Sequence, residues 1–236
     1  YPWSVQAAFE LTIASFNLAE KYMAPVVLLG DAILARMRER LHINTQLEVI
    51  DRKKPAEKPE SYLPYRRDES LIPAVASFGE GYFVLKDSLT HDERGYYYER
   101  PEVQEKFVRG VTEKIRKNAR EIEKYESAFT EDADVVVVAA GPMARVAYAM
   151  VLNARKSGKK WGLFRPITIW PFPEEPLREA TKGASSIIVV EMSTGKLVYP
   201  VKWSIRDNDR VKMVNWLSYE APLPSELERL FVKEVS

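Results

Sequence analysis

Four ionisable side chains stand in a row at His91-Asp92-Glu93-Arg94, and Gly95 follows them. An imidazole titrates near neutral pH, so a histidine beside carboxylates suits proton transfer or a stabilised imidazolium. Gly95 lets the backbone turn there. The same residues also fit a solvated turn with an internal His–Asp contact. His91, Asp92 and Glu93 are the candidate catalytic residues, with that turn as the alternative.

Other positions offer narrower chemistry. Asp31 follows the apolar run Val26 to Leu29 and precedes a helical pattern. It faces a cofactor if that run ends a strand of an open parallel sheet, or it caps the next helix. It is the candidate cofactor-binding residue. Glu191 also ends an apolar run, before Met192-Ser193-Thr194-Gly195. The turn Ala139-Ala140-Gly141-Pro142-Met143-Ala144-Arg145 sits where a nucleotide-binding fold holds phosphate at a helix N-terminus. It lacks the three-glycine spacing, and Pro142 removes an amide that a phosphate would use.

The loop Phe164-Arg165-Pro166-Ile167-Thr168-Ile169-Trp170-Pro171-Phe172-Pro173 is stiffened by its prolines and too apolar to sit comfortably in water. It either packs on another surface or closes its own domain. Arg165, Trp170 and Phe172 are the candidate interface residues, through bidentate pairing and aromatic anchoring. A plain ion pair and packing within the domain are the alternatives.

Composition bounds these readings. The chain has 236 residues, 46% hydrophobic and 29% charged, which describes a globular protein with a sizeable core. A net charge of +1 gives no reason to expect nucleic acid. The longest apolar runs, such as Val135 to Ala140, are too short to cross a bilayer. With no cysteine and only His42 and His91, the chain can form neither a disulfide nor a thiolate-ligated cluster, and a multi-histidine metal site is not expected. Any redox centre belongs to a partner. A cysteine-free chain rich in Lys, Glu and Arg fits a cytoplasmic, thermophilic source.

The elements that position these residues follow from periodicity. Ser4 suits the N-cap of a helix with Phe9, Ile13, Phe16 and Leu18 on one side, ended by Pro25. Val26 to Leu29 reads as a buried strand, whose partner strands must come from residues outside this sequence or from another chain, and Ala32 to Leu41 reads as a helix. From Asp51 to Arg100, prolines and dense charge argue for an extended connector, with Tyr82 to Leu85 as a short strand. Pro101 opens a helix whose apolar side runs through Phe107, Val111, Ile115, Ile122 and Tyr125. Strands then alternate with helices: 134–140, a helix to about Lys156, 161–164, a short helix from Glu174, 186–191, a helix over 196–205, 211–216 and a closing helix over 225–233. That alternation predicts an α/β protein with a parallel sheet and right-handed crossovers.

Four blocks carry a resemblance: Asn17-Leu18-Ala19-Glu20-Lys21-Tyr22 with Pro25-Val26-Val27-Leu28-Leu29-Gly30-Asp31, then Leu89-Thr90-His91-Asp92-Glu93-Arg94-Gly95, the Phe164–Pro173 loop, and Val189-Val190-Glu191-Met192. In this order and spacing the chain resembles the alpha subunit of 2-oxoacid:ferredoxin oxidoreductases, most closely the 2-oxoglutarate type, without its N-terminal part. The resemblance implies three pieces. Residues 1–50 correspond to the second half of a thiamine-pyrimidine-type α/β domain. Residues 51–100 correspond to a connector holding the His91 block, and residues 101–236 to a transketolase C-terminal-like parallel-sheet domain.

The resemblance also implies chemistry: oxidative decarboxylation of a 2-oxoacid to its acyl-coenzyme A, with electrons passed to ferredoxin. The implied cofactors are thiamine diphosphate, Mg2+ and an iron–sulfur cluster. A beta subunit holds the last two, and gamma and delta subunits join some assemblies. The His91 block would line the substrate or coenzyme A channel, and the chain alone would be inactive. Ser193 and Lys196 depart from the family's Glu-Met-Asn-x-Gly-Gln pattern, and Ser218 to Pro222 lacks its glycine pair. Rival readings are a non-catalytic scaffold subunit and a nucleotide-binding α/β module.

Overall fold

The protein is described by a computed structural model covering residues 1–87 and 89–235. Helix α1 (Val5–Tyr22) and the short α2 (Ala32–Arg36) come first. Among the described residues of 37–100 there are one 3-10 turn, Pro59–Ser61, and an isolated bridge between His91 and Tyr97. Helices α3 (Pro101–Lys117) and α4 (Ala119–Ile122) lead into strand β1 (Tyr125–Ala128). Next come β2 (Val135–Ala139), α5 (Gly141–Lys156), β3 (Trp161–Pro166), α6 (Glu174–Ala180) and β4 (Ser186–Glu191). Helix α7 (Val198–Ile205), strand β5 (Val211–Asn215) and helix α8 (Pro224–Val235) complete the order. Among the described residues, no helix is long and apolar enough to cross a membrane.

The residues form two compact units. The first comprises Tyr1–Leu11, Leu28–Ile43 and Glu121–Ser236; the second comprises Thr12–Val27 and Asn44–Arg120. In the first, a five-stranded sheet has the order β1-β3-β2-β4-β5. Val135 pairs with Trp161 on one side and Ser186 on the other, and Ile187 pairs with Val211, all in parallel. Successive side chains of β2 enter opposite faces. Val135, Val137 and Ala139 join Met143, Ala147, Met150, Leu227 and Phe231 from α5 and α8. Val136 and Val138 join Leu177, Val198, Val201 and Ile205 from α6 and α7. Both faces are covered, which is why the strands read as unbroken apolar runs.

The α/β class and the four parallel strands agree with the sequence reading, and several details differ. The sheet is mixed, because β1 pairs antiparallel with β3, Tyr125 opposite Pro166. Tyr125 was expected on the helix from Pro101; that helix stops at Lys117, and Tyr-Glu-Ser-Ala is recruited to the sheet edge instead. Val26 to Leu29 is not a buried strand: Val27 is 78% exposed, and no strand among the described residues pairs with this run. Tyr82 to Leu85 is likewise not a strand, and Phe83 is exposed. Helix α2 ends at Arg36 rather than Leu41, where Met37 turns to extended backbone. Ser4 does cap α1, its Oγ accepting from Ala7 N at 3.0 Å.

The second unit is held by polar staples more than by a core. Asn17 on α1 donates from Nδ2 to the Glu48 carbonyl at 2.7 Å and accepts from Ile50 N at 2.9 Å, as a strand neighbour would. One turn on, Glu20 receives both Arg52 Nε and Nη2 at 2.6 Å. This fork lowers the carboxyl's pKa, with Arg52's hydrogen bonds as the main cause. Tyr62, nearly buried, donates to Ala74 O and accepts from Ala76 N, both at 3.1 Å.

Candidate functional site

In the second unit, His91-Asp92-Glu93-Arg94 closes a tight turn. Asp92 Oδ1 accepts from Arg94 N at 2.9 Å and Tyr96 N at 3.1 Å, while Asp92 N donates to Tyr96 O at 3.0 Å. Arg94 Nε reaches Asp92 Oδ2 at 2.8 Å. Burial raises the Asp92 pKa, but the Arg94 guanidinium and the two amides outweigh it, so the carboxyl lies below its ordinary range. Gly95 has φ of 93°, and a side chain there would press on the Leu85 carbonyl and the Tyr65 ring. Only glycine meets both demands without strain.

The turn brings the three expected residues together but gives them different tasks. His91 is 8% exposed, its ring centroid 3.8 Å from that of Tyr65 and 5.0 Å from that of Phe107, edge to face. Its Nδ1–H donates to the Asp92 carbonyl at 2.9 Å, because a carbonyl can only accept. Asp92 braces the turn. Glu93 accepts from Lys106 Nζ at 2.7 Å through Oε1, and its carbonyl accepts from Tyr65 N at 3.0 Å. His91, Asp92 and Glu93 all line a cleft of about 970 Å³, whose floor includes Tyr65 and Phe107. The volume lies within the range of small-molecule sites.

Sequence reasoning missed the cation of this cleft. Arg67 lies on its wall, packed against Gly110 of α3, where an added methyl would overlap Arg67 Nη1. Its Nε is buried and has no hydrogen-bond partner. Lys114, one turn beyond Gly110 and 6% exposed, donates to the Met23 carbonyl at 2.7 Å. Burial and then the Arg67 guanidinium push the Lys114 pKa down to about 8. Nothing in the sequence sets Arg67 against Gly110, a single glycine within a charged helical stretch.

The first unit has a smaller cleft, about 440 Å³, lined by Tyr1, Asp31, Met143, Ile169 and Glu191 among others. Asp31 caps α2, its Oδ1 accepting from Leu34 N at 2.9 Å, and Oδ2 accepts from Tyr1 OH at 2.8 Å. Glu191 accepts from the amides of Lys196, Leu197 and Val198 at 2.7–3.1 Å and from the Ser193 hydroxyl. It thereby fills the amino end of α7 with an intrachain anion. At the β2–α5 turn Gly141 has φ of 55°, and the Tyr1 ring lies where its side chain would be.

Arg165 is 2% exposed, with Nη1 donating to Glu126 at 2.7 Å and its guanidinium 3.9 Å from the Trp3 ring centroid. Burial lowers its pKa and Glu126 partly restores it. Phe172 is buried in the α6–α7 side of the core, and Trp170 is 75% exposed. Among the described residues, no group of three or more His, Cys, Asp or Glu could hold a metal ion.

Two family models match. Residues 1–109 match the model described as pyruvate flavodoxin/ferredoxin oxidoreductase, thiamine diphosphate-binding, and residues 133–221 match pyruvate:ferredoxin oxidoreductase core domain II. The chain is 42% identical to the 2-oxoglutarate synthase subunit KorA of Methanocaldococcus jannaschii, across 97% of this chain and 61% of the relative. It is 36% identical to the ketoisovalerate oxidoreductase subunit VorB of Methanothermobacter marburgensis, across 91% and 53%. A solved 2-oxoglutarate:ferredoxin oxidoreductase from Magnetococcus marinus, with 2-oxoglutarate, coenzyme A and succinyl-CoA bound, superposes with a TM-score of 0.87 at 22% identity. That match covers 99% of this chain and 42% of the other, and it shows a shared fold. The chain spans about three fifths of the length of the KorA relatives it matches.

Proposed function

Because the chain belongs to the 2-oxoacid:ferredoxin oxidoreductase family, on its alpha-subunit side, we propose that it serves in the oxidative decarboxylation of a 2-oxoacid, 2-oxoglutarate first. The acyl group passes to coenzyme A, CO2 leaves, and ferredoxin is reduced. The working enzyme includes a beta subunit, and the source compartment is the cytoplasm. The observation that carries the reading is His91: an imidazole fixed through Nδ1 and set between two aromatic rings on a large cleft. In this role His91 exchanges a proton with a ligand in the cleft, Asp92 holds the turn, and Glu93 holds Lys106.

Thiamine diphosphate supplies the electron sink for this chemistry when bound. Of the two carboxylates of the smaller cleft, Glu191 already accepts four hydrogen bonds, whereas Asp31 accepts one on each oxygen and keeps acceptor capacity for the cofactor. With no cysteine in the chain and no metal-competent cluster among the described residues, Mg2+ and the iron–sulfur cluster are assigned to the beta subunit. The exposed Trp170 is proposed as a subunit contact, with Arg165 and Phe172 fixing its loop from inside.

A second reading, a bracing subunit without chemistry, is favoured by one observation: the Asp92 and Glu93 carboxylates are both committed to cations. Co-expression with the beta subunit and a ferredoxin-coupled assay separates the two. Coenzyme A-dependent reduction with 2-oxoglutarate, exceeding that with pyruvate or branched 2-oxoacids, is expected. No reduction with any 2-oxoacid by an intact complex would leave the bracing role.

A further inference from the structure

Five cations line the cleft of the second unit, Arg67, Arg94, Lys106, Arg109 and Lys117, and three of them have an assigned carboxylate. Arg94 pairs with Asp92, Lys106 with Glu93, and Arg109 with Glu105. Lys114, just behind the wall, is spent on the Met23 carbonyl. Arg67 makes no ion pair among the described residues, and its buried Nε has no partner. Glu93 attracts it electrostatically, yet the Glu93 Oε1 is already on Lys106. Leaving a guanidinium nitrogen buried and unpaired is costly, and such a group in a native structure calls for an explanation.

We propose that Arg67 is the anchor of an oxyanion-binding site in this cleft, taking the phosphate or carboxylate group of a small molecule whose remainder lies against Tyr65 and His91. Three features support this. Gly110 is the residue that admits the guanidinium, since any side chain there would overlap Nη1. The planar fork of an arginine matches an oxyanion bidentately. Tyr65, stacked on His91 with ring centroids 3.8 Å apart, lines the same cleft and adds aromatic contact area for the rest of a ligand. The balance of burial also fits: burial lowers the Arg67 pKa, and a bound anion would offset that penalty.

The inference deepens the assignment of the cleft to a reaction ligand and rests on it for the natural ligand's identity. Anion binding itself is measured on the chain alone, without partner subunits or turnover, so the two can fail separately. The wild-type chain is titrated with inorganic pyrophosphate in one arm and succinate in the other, with chloride as control. The readout is the Arg67 Nε–H resonance, assigned by its loss in Arg67→Lys. A saturable shift with pyrophosphate but not succinate assigns a phosphate ligand, and the converse assigns a carboxylate ligand. Affinity should fall about tenfold or more in Arg67→Ala and in Gly110→Ala, which displaces the guanidinium without changing charge. A wild-type resonance that responds to neither anion, or folded variants that bind as the wild type does, would overturn the proposal. If neither variant folds, the wild-type resonance still decides.

Discussion

The two units of this chain solve the same problem by different physics. The first buries whole side chains: Val136, Val137, Val138, Ala147, Met150, Leu227 and Phe231 are all inaccessible to solvent. The second buries few large apolar residues, Tyr22, Tyr62 and Val75 among them. It closes its loops with directed bonds, Asn17 to the 48–50 backbone, Arg52 to Glu20, and Asp92 to its own turn. Apolar burial is non-directional and tolerates rearrangement, whereas hydrogen-bonded staples specify one loop path at little net stability each. A cleft lined by loops needs the second kind of order, and that is where His91 and Arg67 sit.

The largest effect should come from the first kind. Phe231 is fully buried with its ring centroid 4.5 Å from that of Trp161. Phe231→Ala is expected to cost about 3–5 kcal/mol by lost burial and the cavity left behind. Denaturant unfolding followed by tryptophan fluorescence measures it. A cost below about 1 kcal/mol would mean that the sheet's core relaxes freely, and the contrast between the units would fail.

Asn17→Ala removes two hydrogen bonds and almost no apolar contact, so about 1–2 kcal/mol is expected, with its main signature local. Limited proteolysis should cut near Arg52 faster than in the wild type while sites in β2 and β4 stay protected. Uniform sensitivity across the chain would show that this staple supports global stability instead. His91→Gln, in an assembled complex, should lower turnover by about tenfold or more, since an amide cannot serve as a general acid or base. Asp92→Asn should loosen the turn, because its Oδ2 partner Arg94 loses a charged acceptor, and should change turnover less. Equal losses in both variants would mean that the block acts only as a brace.

The legibility of the two units in the sequence follows the same division. Strands 135–139, 161–166, 186–191 and 211–215 announce themselves, because a strand covered on both faces must be apolar along its length. Strand β1 was not legible: Tyr-Glu-Ser-Ala has no apolar run, and what holds it is the backbone ladder to β3 and the Glu126–Arg165 pair, neither local in sequence. Val26 to Leu29 is apolar along its length too, yet no strand among the described residues pairs with it and Val27 stays exposed, so apolarity alone does not make a strand. The HDE-G row was visible as chemistry, but not its division into one imidazole and two braces. Arg67 and Gly110 were invisible as a pair, because neither is unusual until the fold sets one against the other.

The smallest effect at neutral pH belongs to Lys114→Met. The charged ammonium is held against its burial penalty and the nearby Arg67 charge, and the methionine relieves both while losing the bond to the Met23 carbonyl. These contributions oppose each other, so little net change is expected near pH 7. The signature lies in the pH dependence. The folded lysine titrates at about 8, and an unfolded lysine at about 10.4. Below the lower value both states are protonated and the folded state bears the whole penalty. Between the two values the unfolded chain binds more protons, so wild-type stability rises with pH relative to the variant, and above them the penalty is gone. Chemical denaturation of both proteins from pH 7 to 10 should therefore show wild type gaining on the variant. Parallel curves would mean that Lys114 keeps its ordinary affinity for the proton, and that the wall behind Arg67 is far wetter than its burial implies.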